Sequence, residues 1–213
     1  MCELKIRYLG LREYRPVYAR MREFNTSRNS TTADEFWCLQ HPPVVTLGAH
    51  ASSQHIHSGL SIPVVPTDRG GQVTYHAPGQ VIIYLLVDLR RKALGIRQFV
   101  QHMEQAVIDL LDSYQIIAQA RTDAHGVYIK DAKVASLGLR VSGGCCYHGV
   151  ALNVDMDLTP FSLMDPCGFP GLAVTQLRDH GIGSDCQQIH TELAKQLYNQ
   201  LDYKEADIEV IGQ

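Results

Sequence analysis

Four short segments of this 213-residue chain carry residue types that can do chemistry. The first is Arg69-Gly70-Gly71-Gln72-Val73-Thr74-Tyr75-His76-Ala77-Pro78-Gly79-Gln80. Its glycines let the backbone approach a ligand and offer unshielded N–H groups. A tight surface loop would have the same composition. Neither G-x-x-x-x-G-K-[ST] nor G-x-G-x-x-G is present, so there is no positive sign of a nucleotide site. The second segment is Ala132-Lys133-Val134-Ala135-Ser136-Leu137-Gly138. Small and apolar neighbours strip a lysine of hydration and make proton exchange near neutrality possible. A lysine that snorkels to the surface fits the same pattern. The third is Asp165-Pro166-Cys167-Gly168-Phe169-Pro170, where two turn formers predict an exposed thiol. A free cysteine is otherwise most often a small buried hydrophobe. The fourth is Cys145-Cys146-Tyr147-His148-Gly149. Adjacent cysteines chelate one ion poorly, and His148, like His76, could line a pocket or satisfy a turn.

The elements that must position these residues read as follows. Leu4, Ile6 and Tyr8 alternate with Lys5 and Arg7, which predicts a strand. Residues 14 to about 29 predict a helix with Val17, Met21 and Phe24 on one face. Short strands are predicted at 35–39, 44–47 and 62–65, and a buried one at 81–87. Ile96, Phe99, Val100, Met103, Val107, Leu110 and Leu111 recur with helical period. Residues 127–129 and 134–141 predict a hairpin, and Val150, Leu152 and Val154 a further strand. Ile189, Leu193, Leu197 and Leu201 predict a closing helix. Strands and helices mix without strict alternation, so the fold class expected is α/β (α+β), a mixed sheet flanked by helices.

Length and composition fit one domain over residues 1–213 with a real core: apolar residues make up 45% and charged residues 19%. The net charge of -3 makes the chain no polyanion binder, so no nucleic-acid partner is expected. No apolar run approaches a membrane span, and the first residues carry an acid and no apolar stretch. A cytoplasmic protein with no membrane partner is expected. The six cysteines then read as free thiols. With no C-x-x-C and no H-E-x-x-H, neither a metal nor a cofactor is expected.

Taken together, R-G-G-Q-V-T-Y-H-A-P-G-Q at 69–80, K-V-A-S-L-G-L-R at 133–140, Y-H-G-V-A-L-N-V-D at 147–155 and P-C-G at 166–168 closely resemble the lipoyl(octanoyl) transferases. The resemblance covers most of the chain. It implies the fold shared by biotin and lipoate protein ligases. It also implies transfer of an octanoyl group from octanoyl-acyl carrier protein to a lysine of a lipoyl domain, through an acyl-cysteine thioester. The acceptors implied are the lipoyl domains of 2-oxoacid dehydrogenase complexes and the H protein of glycine cleavage. By the same resemblance Cys167 is the acyl-accepting cysteine and Lys133 its partner. Arg69, Gly70, Gly71, Gln72, Val73, Thr74, Tyr75 and His76 surround the acyl chain, and Ser136, Leu137, Gly138, Gly149, Val150 and Ala151 line the rest of the substrate. Two residues depart from the pattern: Ala77, where the family usually has glycine, and Cys146, often a hydroxyl residue.

Other chemistries would use the same pieces differently. An ATP-dependent lipoate ligase needs an adenylate site and no catalytic cysteine. A cysteine hydrolase needs a histidine base beside Cys167, with His76 and His148 the candidates. A binding module needs only the apolar pocket. Backbone N–H groups at Gly138 or Gly168 are the expected oxyanion donors. Arg90-Arg91-Lys92 is the expected docking patch for an acidic carrier protein.

Overall fold

The computed structural model describes residues 4–183 and 185–210; the side chains of Ser53 and Cys167 lie outside that description. The elements run β1 (Leu4–Leu11), α1 (Tyr14–Ser27), β2 (Asp34–Gln40), β3 (Val44–Leu47), β4 (Val64–Pro66), β5 (Val73–His76), β6 (Gln80–Asp88), α2 (Ile96–Ser113), β7 (Gln119–Ala120), β8 (Val127–Ile129), β9 (Ala132–Ser142), β10 (Cys145–Asn153), α3 (Cys186–Gln200) and β11 (Ala206–Val210). Eight strands form one sheet in the order β11-β1-β2-β6-β10-β9-β8-β7. β1 runs parallel to β2 and β11, and the other pairings are antiparallel. A second sheet has the order β4-β3-β5.

The apolar run of β6 is explained by its two covered faces. Val81, Ile83, Leu85 and Val87 pack with Phe99, Met103 and Val107 of α2 and with Leu193 and Leu197 of α3. Ile82, Tyr84 and Leu86 pack with Tyr14, Val17 and Met21 of α1 and with Val44 and Val65 of the small sheet. A strand buried on both faces has no polar positions to alternate. The mixed sheet with flanking helices is therefore as expected.

Three boundaries differ from expectation. β5 lies inside the segment that reads as a glycine-rich loop. β10 begins at Cys145 and not at Val150, so the Cys-Cys-Tyr-His-Gly segment is strand. β9 begins at Ala132, making Lys133 its second residue. β7 and β11 are largely exposed edge strands; β11 is held by its pairing with β1 and by the Arg7–Glu209 ion pair at 2.6 Å.

The fully buried Asp34 carboxylate ties the frame together. It accepts hydrogen bonds from Arg28 (2.6 Å), Arg91 (2.6 Å), the Asp88 N–H (2.9 Å) and Tyr203 (2.8 Å). This bears on the expected docking patch. Arg91 is engaged by Asp34, Arg90 by Asp88, and Lys92 by the Leu201 carbonyl and the Tyr203 ring. All three follow the Asp88 end of β6, whereas β9 places Lys133 beside the strand residues that pair toward its Gln80 end. Of the three, Arg90 keeps its side chain 66% exposed. Replacing Asp34 with alanine strands the buried Arg28 guanidinium and takes one partner from the half-buried Arg91, and the expected loss is about 3–5 kcal/mol, read by chemical denaturation.

Candidate active site

Between the α1 face of the large sheet and the small sheet lies an open cleft of about 500 Å³. Of the expected substrate-lining residues, Arg69, Gly71, Gln72, Val73, Thr74, His76, Ser136, Leu137, Gly138, Gly149, Val150 and Ala151 line it. Two do not. Tyr75 turns away on the alternating face of β5, edge-on to Phe161 at 5.5 Å. Gly70 serves as a tie, its N–H donating to the Leu139 carbonyl at 2.8 Å. Tyr14, Ile82, Tyr84 and His148 join the lining. They come from α1, β6 and β10, and only the packing of those elements brings them together.

Arg69 is buried and acts on the loop itself. Its guanidinium donates to the Thr46 carbonyl (2.7 Å), the Thr46 hydroxyl (2.8 Å) and the Gly70 carbonyl (3.0 Å). Gly149 is demanded by close approach: a Cβ there would stand 2.1 Å from the Ile83 carbonyl oxygen. The residue before it, His148, holds a left-handed φ of 64°, a conformation costly for a side chain with a Cβ. Its ring lies between Tyr18 and Tyr147, with Nε2 3.2 Å from Asp68. Burial works to raise the Asp68 carboxyl, but hydrogen bonds from His148, Tyr147 and Tyr18 hold it well below the usual range.

The imidazoles in and behind the cleft wall are uncharged. Burial pushes His76 down to about 3, helped by neighbouring His41, and pushes His41 down to about 4. Burial lowers His148 as well. His76 Nδ1 lies 2.7 Å from Gln80, and His41 Nε2 lies 2.8 Å from the Tyr84 hydroxyl. Rings whose basicity burial lowers this far accept a proton poorly, and Gln80 and Tyr84 engage one nitrogen of each.

The Pro-Cys-Gly segment forms a short 3-10 turn, Pro166–Gly168, closed by Gly168 N–H to Asp165 carbonyl at 2.9 Å. That bond engages the Gly168 N–H, which removes it as the expected oxyanion donor. Pro166 is buried. Three segments meet at this turn. A Cβ on Gly168 would sit 3.3 Å from Gln72 Cγ and 3.5 Å from His55 Nε2. His55 Nδ1 and His57 Nε2 lie 3.3 and 3.2 Å from the two Asp165 oxygens. His55 carried no signal in the sequence, because 110 residues separate it from Asp165. The chain leaving the turn then bridges to Lys133: Lys133 N–H donates to Ala173 (2.8 Å), and Thr175 N–H to Lys133 (2.9 Å). The Lys133 side chain is 2% exposed, and its ammonium donates to the His125 carbonyl at 2.9 Å.

The other candidate thiols are core residues. Cys145 and Cys146 are both buried, and burial pushes Cys146 up to about 12, where a nucleophilic thiolate is scarce.

Residues 14–198 match the lipoyl protein ligase A/B catalytic domain. An octanoyltransferase of Nitrosococcus oceani is 51% identical over 200 residues, 94% of this chain and 89% of that one. One of Thiobacillus denitrificans is 53% identical over 194 residues, 91% and 89% of the two chains. The chain belongs to this family of octanoyltransferases. Solved structures show how widely the family fold is shared. A putative lipoate protein ligase of Thermoplasma acidophilum with bound lipoic acid superposes with a TM-score of 0.80 at 14% identity, covering 99% of this chain and 90% of that one. Lipoate-protein ligase A bound with ATP gives 0.74 at 14% identity, over 100% and 90%. Biotin protein ligase of Aquifex aeolicus gives 0.54 at 12% identity, over 93% and 68%. The expected kinship of fold therefore holds. Among the described residues no helix is long and apolar enough to cross a membrane, and no cluster of metal-binding side chains occurs.

The neutral histidines make acid stability a test of the cleft. Each ring takes up its proton only on unfolding, so the unfolded chain binds more protons below the ordinary value of 6.5. Stability is full above that pH and falls as pH drops toward the folded values. Between pH 6.5 and 5 each of His41 and His76 removes up to about 1.4 kcal/mol per pH unit. Denaturant unfolding at pH 7 and 5 should show this slope, and His76→Gln should lower the proton uptake on unfolding by about one.

Proposed function

We propose that this protein moves an octanoyl group from octanoyl-acyl carrier protein to a lysine of lipoyl domains, with Cys167 carrying the acyl group and Lys133 handling the proton. The observation that carries the reading is the backbone bridge that fastens Lys133 to the chain leaving the Pro-Cys-Gly turn. The kinship with octanoyltransferases supports the acyl group, and the apolar side chains of Ile82 and Ala151 in the cleft lining suit its chain.

In the first step the Cys167 thiolate attacks the carbonyl carbon of the carrier thioester. The new Cys167–acyl bond forms as the carrier thiolate leaves, and the Lys133 ammonium protonates that thiolate. The same ammonium favours the Cys167 thiolate beforehand. One thioester replaces another, so the exchange is nearly balanced. In the second step the neutral amine of the acceptor lysine attacks acyl-Cys167, the amide forms and the Cys167 thiolate leaves. Lys133, now neutral, takes the amine proton and returns to its first state. Amide formation from a thioester runs downhill, so the cycle needs no ATP and no cofactor. Acceptors are the lipoyl domains of 2-oxoacid dehydrogenase complexes and the H protein of glycine cleavage, and the protein works in the cytoplasm.

Incubation with octanoyl carrier protein and no acceptor should add one octanoyl mass, removable by hydroxylamine and mapped to the Cys167 peptide. Cys146→Ser should still acylate. Cys167→Ser and Lys133→Ala should lose transfer by at least about 10³-fold while keeping the wild-type thermal midpoint within a few degrees. A Cys167→Ser protein that transfers well, or an adduct on another cysteine, overturns the scheme.

A further inference from the structure

The core face of α2 includes a carboxylate. Glu104 is 6% exposed, beside Met103 and Val107, and nothing in the transfer scheme uses it. A carboxylate in such a place is costly unless it is hydrogen-bonded or paired. Its Oε1 accepts the Gly126 N–H at 3.3 Å and stands 3.7 Å from His125 Nδ1. The peptide joining those two residues also carries the His125 carbonyl, which accepts the Lys133 ammonium at 2.9 Å. One peptide unit thus separates the carboxylate from the ammonium, its N–H toward Glu104 and its carbonyl toward Lys133.

Gly126 makes this arrangement possible. Its φ is +142°, and a Cβ would stand 2.7 Å from the Ala135 carbonyl oxygen and 3.0 Å from Lys133 Cε. The lysine lies directly against bare backbone. Burial raises the Glu104 carboxyl, while the Gly126 N–H, His125 and the charge of Lys133 act the other way. Also near the lysine are Tyr128, whose ring centre is 5.2 Å from Nζ, and Arg121, 5.0 Å from the same ring and paired to Asp123. On the side of the bridged segment stand Thr175 and its partners Asp179 and His180.

We infer that Glu104 is a positioning residue for Lys133: it holds the His125–Gly126 peptide that receives the ammonium, and its charge stabilises that ammonium until it protonates the leaving carrier thiolate. The inference rests on the acyl-Cys167 scheme above. Removal of the charge leaves a less stabilised ammonium and a peptide free to reorient.

The test uses the whole protein, octanoyl carrier protein and a lipoyl domain. Single-turnover acylation is followed by mass across pH 6–10, and kcat and KM are measured for both substrates. Glu104→Gln should lower kcat roughly 10- to 100-fold, the range typical of groups that orient a working side chain, with KM for both partners within about twofold. The alkaline limb of its acylation profile should move to lower pH by about one unit. Glu104→Asp keeps the charge and shortens the reach. It should leave the limb in place while kcat falls. A Glu104→Gln protein with wild-type kcat and limb overturns the inference, and so does a Glu104→Asp protein whose limb shifts or whose kcat is unchanged. Thermal unfolding reports folding separately. Lys133→Ala is run alongside. If it transfers normally, the role given to Lys133 falls and Glu104's with it; if it is dead while Glu104→Gln is normal, only the inference falls.

Discussion

Burying an ammonium group is the constraint around which this site is built. Lys133 sits on a strand with almost no access to water, where an unpartnered cation would cost several kcal/mol. The surrounding structure answers that cost with a carbonyl from His125, an aromatic face from Tyr128 and a glycine that leaves room for the side chain. Each lies on the β7–β8 side of β9, so the short edge strands have a purpose beyond extending the sheet. The bridge to residues 173–175 closes the other side and brings the Pro-Cys-Gly turn with it.

The cleft follows a different logic. An acyl chain needs an apolar wall, yet the lining includes His76, Tyr84 and His148, with His41 bound to Tyr84. Burial keeps the imidazoles neutral, and Gln80, Asp68 and Tyr84 occupy their ring nitrogens. Polar groups satisfied among themselves offer little to a ligand's carbons beyond surface. Such a network fixes the wall's shape more firmly than aliphatic side chains would, and Arg69, locked onto Thr46, does the same for the loop.

Much of this was legible in the residues, and what was not has physical reasons. The β6 run and the α2 periodicity announce themselves because burial dictates apolar side chains on fixed spacings. β11 alternates Ala206, Ile208 and Val210 with Asp207 and Glu209 over only five residues, and it is largely exposed beside the edge that β1 offers. β10 was read from Val150 onward because Cys145-Cys146-Tyr147-His148-Gly149 lacks alternation, yet all five residues are buried, the strand being covered on both faces. Tyr75 follows from the same rule of two: once Val73–His76 is a strand, its neighbours cannot all face one cleft. His55 and Glu104 were out of reach. Each acts on residues distant in sequence, and only the closed fold makes them neighbours.

The fold itself does not choose between activation by ATP and acyl transfer from a thioester, since proteins solved with lipoic acid or with ATP share it. The choice lies in what faces the reactive carbonyl. A route through an adenylate brings its own leaving group and asks the protein to hold phosphates. A route through a thioester asks for a thiol that can accept and release the acyl group, and for one proton site that empties in the first half and fills in the second. A lysine is suited to that alternation only where its charge can be held and then given up. A buried ammonium bound to the His125 carbonyl, with a carboxylate behind the same peptide, meets that condition, because the peptide transmits the carboxylate's field without letting the two charges pair directly.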